Sequence, residues 1–126
     1  MHLVLAVSDV DRSKAFYDQA FGWQPHLEWP GTYAELVVEG DDRLGLYRRE
    51  GWSISSGGDP VTVPDGSHAP QYLYVRVDDL DAATDRLAEA GASPLSPRTE
   101  RNWGDEAAYF ADPDGHVVAV ARRLDG

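Results

Sequence analysis

A strand-to-helix pattern occurs twice in this chain, and this repeat limits the folds that the sequence can adopt. The first copy, HLVLAVSDVD, begins at His2, and the second copy, YLYVRVDDLD, begins at Tyr72. In each copy apolar residues alternate along a half-buried strand, and an Asp-x-Asp sequence then supplies an N-cap and negative charge to a helix. The sequence therefore predicts two similar halves, with helices near residues 11–21 and 80–90.

Two hairpins extend the repeat. Residues 33–47 align with residues 107–121, and residues typical of turns interrupt both segments at Gly40 and at Pro113. With a short strand before each hairpin, each half becomes a βαβββ unit. We predict an α+β fold in which each unit is a curved, mostly antiparallel four-stranded sheet with a helix on its outer face, and in which the units form an open concave cleft.

The length of 126 residues predicts a single domain over residues 1–126. Residues 1–48 form the first unit, residues 49–70 a linker loop rich in Gly, Ser and Pro, and residues 71–126 the second unit. A loop of this length is expected to be mobile or functional. The halves could pair within one chain or be exchanged between two chains, since the same surfaces are buried either way.

The charge balance excludes several partners. Twenty-two Asp and Glu residues outweigh 11 Lys and Arg residues, for a net charge of −11, so the surface repels nucleic acid and anionic membranes. An acidic surface attracts cationic ligands, although it also simply favours solubility. The absence of cysteine excludes thiolate chemistry and agrees with a reducing compartment. Since no apolar run of about 18 residues and no signal peptide is recognisable, we expect a cytoplasmic protein.

The repeated motifs resemble those of the vicinal oxygen chelate superfamily, which includes glyoxalase I, extradiol dioxygenases, fosfomycin-inactivating transferases and bleomycin resistance proteins. The resemblance covers nearly the whole chain. Its residues in the first half are VSDVD from Val7, Phe16-Tyr17 and Phe21-Gly22; in the second half they are VDDLD from Val77, Ala90-Gly91-Ala92, WGD from Trp103 and YFADPDG from Tyr109. It implies the paired βαβββ fold, but this scaffold carries many activities.

In metal-dependent members of that superfamily, four side chains hold a divalent ion, and the resemblance assigns those positions here to His2, Gly45, Tyr72 and Ala119. Only His2 is a usual ligand, and two of the positions have no side-chain donor. We therefore expect no metal, no cofactor and no assigned catalytic residue. Gly45 and Ala119 are also expected to leave open volume where the metal would lie.

A relocated metal site is the alternative. It would combine His2 with Glu35, His68 or His116. Glu35 could instead form an ion pair with Arg76 or Arg43.

The strand alternation places five of the six tyrosines on the sheet faces opposite the helices. Small residues separate these tyrosines, a composition that suits the stacking of a flat ligand. The predicted ligand-binding residues are His2, Tyr33, Glu35, Tyr47, Trp52, Tyr72, Tyr74, Arg76, Trp103 and Tyr109, with Trp52 and Trp103 closing over the ligand from loops. Alternatively, the tyrosines fill the groove themselves or pack against a second subunit. Trp23 and Trp29 are predicted to be core or dimer-contact residues.

The acidic charge, the tyrosines and the loss of metal ligands resemble the bleomycin resistance branch. That resemblance implies a metal-free homodimer that sequesters an aromatic and cationic compound such as an antibiotic, and we favour such a binding protein over an enzyme. The main alternative is a metal-dependent glyoxalase-like lyase, isomerase or dioxygenase with relocated ligands. Two others are a metal-free enzyme with His2 or Glu35 as general base and a structural protein whose open face is an oligomer interface.

Overall fold

The computed structural model describes residues 1–124, and its elements follow the predicted order. They are β1 (His2–Val7), α1 (Val10–Phe21), β2 (Pro25–Trp29), β3 (Tyr33–Glu39), β4 (Asp42–Arg48), α2 (Arg49–Ser56), β5 (Tyr72–Arg76), α3 (Leu80–Glu89), β6 (Ser93–Glu100), β7 (Asp105–Ala111) and β8 (Val117–Arg123). They build two four-stranded sheets with the strand orders β1-β4-β3-β2 and β5-β8-β7-β6. In each sheet the first two strands are parallel and the remaining pairs are antiparallel. The predicted α+β fold of two βαβββ units is confirmed.

The chain divides between Thr62 and Val63 into two compact units, called the first unit and the second unit below. The division falls inside the segment that the sequence predicts to be a linker. Within residues 1–124, no helix is long and apolar enough to cross a membrane.

Both predicted helix starts use the aspartates of the repeat. The Asp9 carboxylate accepts a hydrogen bond from the backbone amide of Arg12 at 3.1 Å, and Asp79 accepts one from Ala82 at 3.0 Å. These bonds satisfy amides that have no partner within the helix. α1 then ends at Gly22, whose φ of 73° closes the last turn in a conformation that costs glycine little.

The core of each unit lies between its sheet and its helix. In the first unit, Leu36, Leu44 and Leu46 alternate with residues of the other face and have at most 1% of their surface exposed. They pack beneath α1, which buries Phe16 and Tyr17, the one tyrosine outside the predicted open faces. In the second unit the corresponding core residues are Val118, Val120, Leu80 and Leu87.

The start of the predicted linker loop is helical, which corrects the sequence analysis. α2 spans Arg49–Ser56, and Gly57 ends it with a φ of 87°. Gly51 and three serines make this segment a weak helix former by itself. Contacts with β4 and β1 supply the missing stability, since the Tyr47 ring lies against Gly51, where a Cβ atom would be only 2.1 Å from the Tyr47 Cε1 atom.

Candidate ligand-binding site

A cavity of about 620 Å³ lies in the first unit, where α2 faces the sheet. Its lining is mostly apolar and aromatic, with three small hydroxyl side chains. The lining residues are Val4, Trp29, Thr32, Tyr33, Tyr47, Trp52, Ser55 and Ser56. Three of the ten predicted ligand-binding residues, Tyr33, Tyr47 and Trp52, are among them.

Strand register brings three of these aromatic rings together. Trp29 pairs with Tyr33 across β2 and β3, and Tyr33 pairs with Tyr47 across β3 and β4. The ring centroids are 6.2 Å apart in the first pair and 5.2 Å apart in the second pair, where the rings meet edge to face. Such pairs stabilise a sheet face, and here they form a continuous aromatic wall.

α2 completes the cavity from the other side. It contributes Trp52 and two serines, and the Ser55 hydroxyl lies 3.3 Å from the Tyr47 hydroxyl. Trp52 therefore belongs to a helix, although the sequence places it in a loop. The helix can approach the wall because Gly51 leaves room for the Tyr47 ring.

A polar cluster adjoins the aromatic wall. The Glu35 carboxylate is 8% exposed and accepts hydrogen bonds from the Tyr33 hydroxyl at 2.8 Å and the His26 Nε2 atom at 2.6 Å. The His2 Nδ1 atom lies 3.6 Å from the same carboxylate. His2 and Glu35, two predicted site residues, are thus brought together, but outside the lining of the cavity.

The surroundings of Glu35 set its charge. The Tyr33 hydroxyl, followed by His26 and His2, lowers the pKa of Glu35 against the opposing effect of burial. Burial, followed by the anionic carboxylate, raises the pKa of Tyr33. At neutral pH the pair is therefore a carboxylate and an intact phenol that donates to it.

The structure corrects the expected ion pair of Glu35. Arg76 belongs to the second unit, where its Nε atom donates to the Asp105 carboxylate at 3.1 Å. Arg43 donates instead to the backbone carbonyls of Gly40 and Asp42.

Gly45 does not leave the open volume that the sequence analysis expects. A Cβ atom at this position would lie 2.8 Å from the Tyr33 hydroxyl oxygen, 3.1 Å from its Cε1 atom and 3.0 Å from Val4 Cγ2. Tyr33 therefore covers the position at which metal-dependent relatives would carry a ligand. Ala119 is also closed off, since it has no exposed surface and pairs with both Tyr74 and Tyr109 across neighbouring strands.

Three predicted site residues of the second unit belong to one hydrogen-bond network around the buried Asp105 carboxylate. Tyr74 donates to the buried Asp105 carboxylate at 2.6 Å, as Arg76 does, and the Trp103 indole N–H donates to the Tyr74 hydroxyl at 2.8 Å. The Tyr74 hydrogen bond is the main cause that lowers the pKa of Asp105. The network fixes Trp103, which the sequence analysis expects to close over a ligand.

The two remaining predicted residues, Tyr72 and Tyr109, line a separate cavity of about 360 Å³ in the second unit. Their rings meet at 5.0 Å, nearly perpendicular. Burial, followed by the Tyr72 hydroxyl, raises the pKa of Tyr109 to about 12, so Tyr109 is neutral near pH 7.

The donor sets do not match a metal centre. Within residues 1–124, no group of three or more His, Asp or Glu side chains is arranged to hold a metal ion. His2 and His26 both approach the Glu35 carboxylate rather than a shared empty point. His68 and His116, the other candidates for a relocated site, belong to the second unit.

Sequence reasoning missed two participants in the first unit. Trp29, predicted to be a core or dimer-contact residue, is 57% exposed and lines the cavity. Its pairing with Tyr33 could have revealed this position, but β2 is too short for its sequence to show which residues face the cavity. His26 was overlooked because a register shift between Pro25 and Leu27 changes the strand alternation around it.

A pair of βαβββ units, each with a helix packed on its sheet, defines the class of this protein. The chain belongs to the Glyoxalase/Bleomycin resistance protein/Dioxygenase superfamily, whose sequence model matches residues 1–120. This membership confirms the resemblance to the vicinal oxygen chelate group.

Several known proteins are similar to this chain over almost its full length. The uncharacterized protein YraH of Bacillus subtilis (strain 168) is 24% identical, with 98% of each chain covered. Glutathione transferase FosA of Serratia marcescens is 32% identical over 98% of this chain and 83% of its own. A glyoxalase-related enzyme from Fulvimarina pelagi shares the fold with a TM-score of 0.84, at 24% identity, over 97% of this chain and 86% of that one.

Proposed function

We propose that this member of the superfamily is a small-molecule binding protein that takes up an aromatic compound in its first-unit cavity without a metal ion. The observation that carries the proposal is the convergence of Trp29, Tyr33, Tyr47 and Trp52 on one cavity of about 620 Å³. Pockets for small organic ligands span roughly 300–1,000 Å³ and combine apolar walls with a few polar groups. Thr32, Ser55 and Ser56 supply those polar groups.

The ligand class is a flat organic molecule, and a positive charge on it would strengthen binding. The faces of indole and phenol rings attract cations, and no basic side chain lines the cavity. The net charge of −11 adds a favourable long-range field. Sequestration of a cationic aromatic compound, such as an antibiotic, is consistent with these properties.

The proposal gives no role to Gly45 and Ala119, two of the positions that the family resemblance assigns to metal ligands. Gly45 offers no donor, and the Tyr33 ring covers it, with its hydroxyl committed to Glu35. Ala119 offers no donor either and is fully buried. Glu35 could hold a metal only after the hydrogen bonds that it accepts from Tyr33 and His26 were replaced by coordination.

A metal-dependent enzyme is the second candidate, and two observations keep it in view. One relative is named a glutathione transferase, and a metallothiol transferase, FosB of Lysinibacillus sphaericus (strain C3-41), is 26% identical over 91% of this chain. The grouping of His2, His26 and Glu35 supplies nitrogen and oxygen donors in one region. Metal analysis of the purified protein distinguishes the candidates, since a stoichiometric ion whose removal abolishes ligand binding would favour the enzyme.

A thermal-shift screen of aromatic antibiotics and metabolites, with and without chelator, tests the binding proposal. We expect cationic aromatic compounds to raise the melting temperature equally in both conditions. Replacement of Trp52 by alanine should remove the shift, whereas replacement of Trp103, which is bonded to Tyr74 in the second unit, should leave it unchanged. Shifts that require metal, or that survive the Trp52 change, would overturn the proposal.

A further inference from the structure

The cavity of the second unit contains an arginine with an unusual set of partners. Arg101 lies just after β6, and its Nη2 atom donates to the Ser96 hydroxyl at 3.1 Å and to the backbone carbonyls of Pro97 at 2.9 Å and Ala107 at 3.0 Å. All three acceptors are uncharged. The guanidinium carbon also lies 5.1 Å from the centre of the Tyr109 ring. These contacts hold the guanidinium in place without neutralising it.

Three other arginines of this unit are paired with carboxylates. Arg76 pairs with Asp105, Arg122 with Glu106, and Arg98 with Asp81 and Glu106. Within residues 1–124, no carboxylate lies within ion-pair distance of Arg101, and its Nε atom is shielded from solvent with no hydrogen-bond acceptor. Shielding a positive charge without a counter-charge is costly, especially in a chain with twice as many acidic as basic residues.

The irregular pairing of β6 explains how this strand can bind the guanidinium of Arg101. β6 is the edge strand of its sheet, and its pairing with β7 shifts register on both sides of Ser96. Proline is tolerated on an edge strand, and irregular pairing frees carbonyl groups from the ladder. The Pro97 carbonyl and the Ser96 hydroxyl thereby become available to Arg101.

The rest of the cavity determines what could neutralise Arg101. The lining residues are His68, Tyr72, Leu95, Ser96, Arg101, Tyr109 and Val117, and none of them is acidic. Leu95 and Tyr72 are 40% and 51% exposed, so an apolar group could rest on them. Tyr72, Tyr109 and His68 add hydrogen-bonding groups to the lining.

We propose that the second-unit cavity is a binding site for a small organic carboxylate, with Arg101 as its counter-ion and Leu95, Val117 and Tyr72 as the surface for its apolar part. Nη2 is committed to three acceptors and Nε is shielded, so a carboxylate would accept charge-assisted hydrogen bonds from the Nη1 atom of Arg101. The proposal uses only residues of the second unit and is independent of the aromatic cavity in the first unit.

Calorimetric titration of the full chain with benzoate at neutral pH tests this site, with benzamide as the uncharged ligand of the same shape. We expect benzoate to bind and benzamide to bind at least about tenfold more weakly, since the charge-assisted hydrogen bonds are lost. Arg101→Gln should weaken benzoate binding by a similar factor. Arg86→Gln, which removes the same charge from an exposed position on α3, should change it less than about twofold.

A second pair of variants leaves the contacts of Arg101 intact, in case Arg101→Gln impairs folding. Leu95→Glu and Leu95→Gln remove the same apolar contact, but only Leu95→Glu places a carboxylate at the exposed edge of the cavity, so it should weaken benzoate binding far more than Leu95→Gln does. Equal affinity for benzoate and benzamide, or unchanged benzoate affinity in Leu95→Glu, would overturn the proposal. Because thermal shifts by cationic aromatic compounds depend on Trp52, they should persist in Arg101→Gln, so the two proposals can fail separately.

Discussion

Replacement of Gly45 by alanine tests whether Tyr33 closes the position that carries a metal ligand in metal-dependent relatives. The added methyl carbon would lie 2.8 Å from the Tyr33 hydroxyl oxygen, closer than a Cβ atom can approach, and 3.0 Å from Val4 Cγ2, a tight contact. Something must therefore move. Tyr33 and Val4 are both partly buried side chains, but the atom of Tyr33 nearest to the methyl group is the far end of a long side chain, so the Tyr33 ring is the freer neighbour.

The expected cost follows from the two ways of relieving the contact. If Tyr33 stays, the overpacked site costs about 1–3 kcal/mol. If Tyr33 moves, it loses its 2.8 Å hydrogen bond to the Glu35 carboxylate, and bonds to charged groups contribute about 1.5–3 kcal/mol. Either route lowers the free energy of unfolding by about 2 kcal/mol.

Urea denaturation followed by tryptophan fluorescence measures this cost. The matched control is Gly58→Ala, because a Cβ atom at Gly58 would have no neighbour within 4 Å and the residue does not need a positive φ. That variant should stay within about 0.5 kcal/mol of the wild type or gain slightly.

A double-mutant cycle identifies the neighbour responsible. Tyr33→Phe removes the oxygen nearest to the added methyl group, so Gly45→Ala should cost about 1 kcal/mol less in that background than in the wild type. A Gly45→Ala variant as stable as the control, or costs that simply add, would refute the closed position.

Three further substitutions test contacts within the first unit and the second unit. Glu35→Gln should destabilise the protein at neutral pH. Because the folded-state pKa of Glu35 is lowered from 4.5, the loss of stability should persist above pH 4.5 and shrink as the pH falls through the folded-state pKa. Urea midpoints measure this loss, and a loss that does not depend on pH would contradict the assignment. Gly51→Ala should raise the helix propensity of α2 but weaken ligand binding, because the added methyl group displaces the Tyr47 ring. A thermal-shift titration measures the affinity, and an unchanged affinity would argue against α2 as a wall of the cavity. Asp105→Asn should release Trp103 by weakening the Tyr74 hydrogen bond, seen as a change in tryptophan emission, and an unchanged spectrum would speak against the network.

The repeat made most of the fold accessible from the sequence, because two independent signals agree in each half. Alternating apolar residues predict the strands, and Asp9 and Asp79 cap the helices that follow. α2 was missed because its residues have low helix propensity and its stability comes from packing against β1 and β4. β6 was predicted too short, since its prolines usually argue against a strand interior and are tolerated here at a sheet edge.

The candidate site was accessible only in part. Strand phase placed Tyr33 and Tyr47 on one face, and cross-strand pairing brings them together as expected for neighbouring strands. Phase alone could not show that Tyr33 bends over Gly45, because the direction of a side chain depends on its hydrogen-bond partner, Glu35. The ion pair of Arg76 was also misassigned, because its partner Asp105 opens β7, two residues before the predicted hairpin begins at residue 107.

Fluorescence titration of metal-stripped protein with proflavine, a flat organic cation, tests the central claim of an aromatic, metal-independent binding cavity. Comparison of Trp52→Phe with Trp103→Phe locates the response, because Trp52 lines the first-unit cavity whereas Trp103 lies in the second unit. We expect saturable quenching in the stripped wild type and in Trp103→Phe, and a much smaller change in Trp52→Phe. Quenching that appears only after a divalent metal is restored, or that is lost in Trp103→Phe and retained in Trp52→Phe, would contradict the claim.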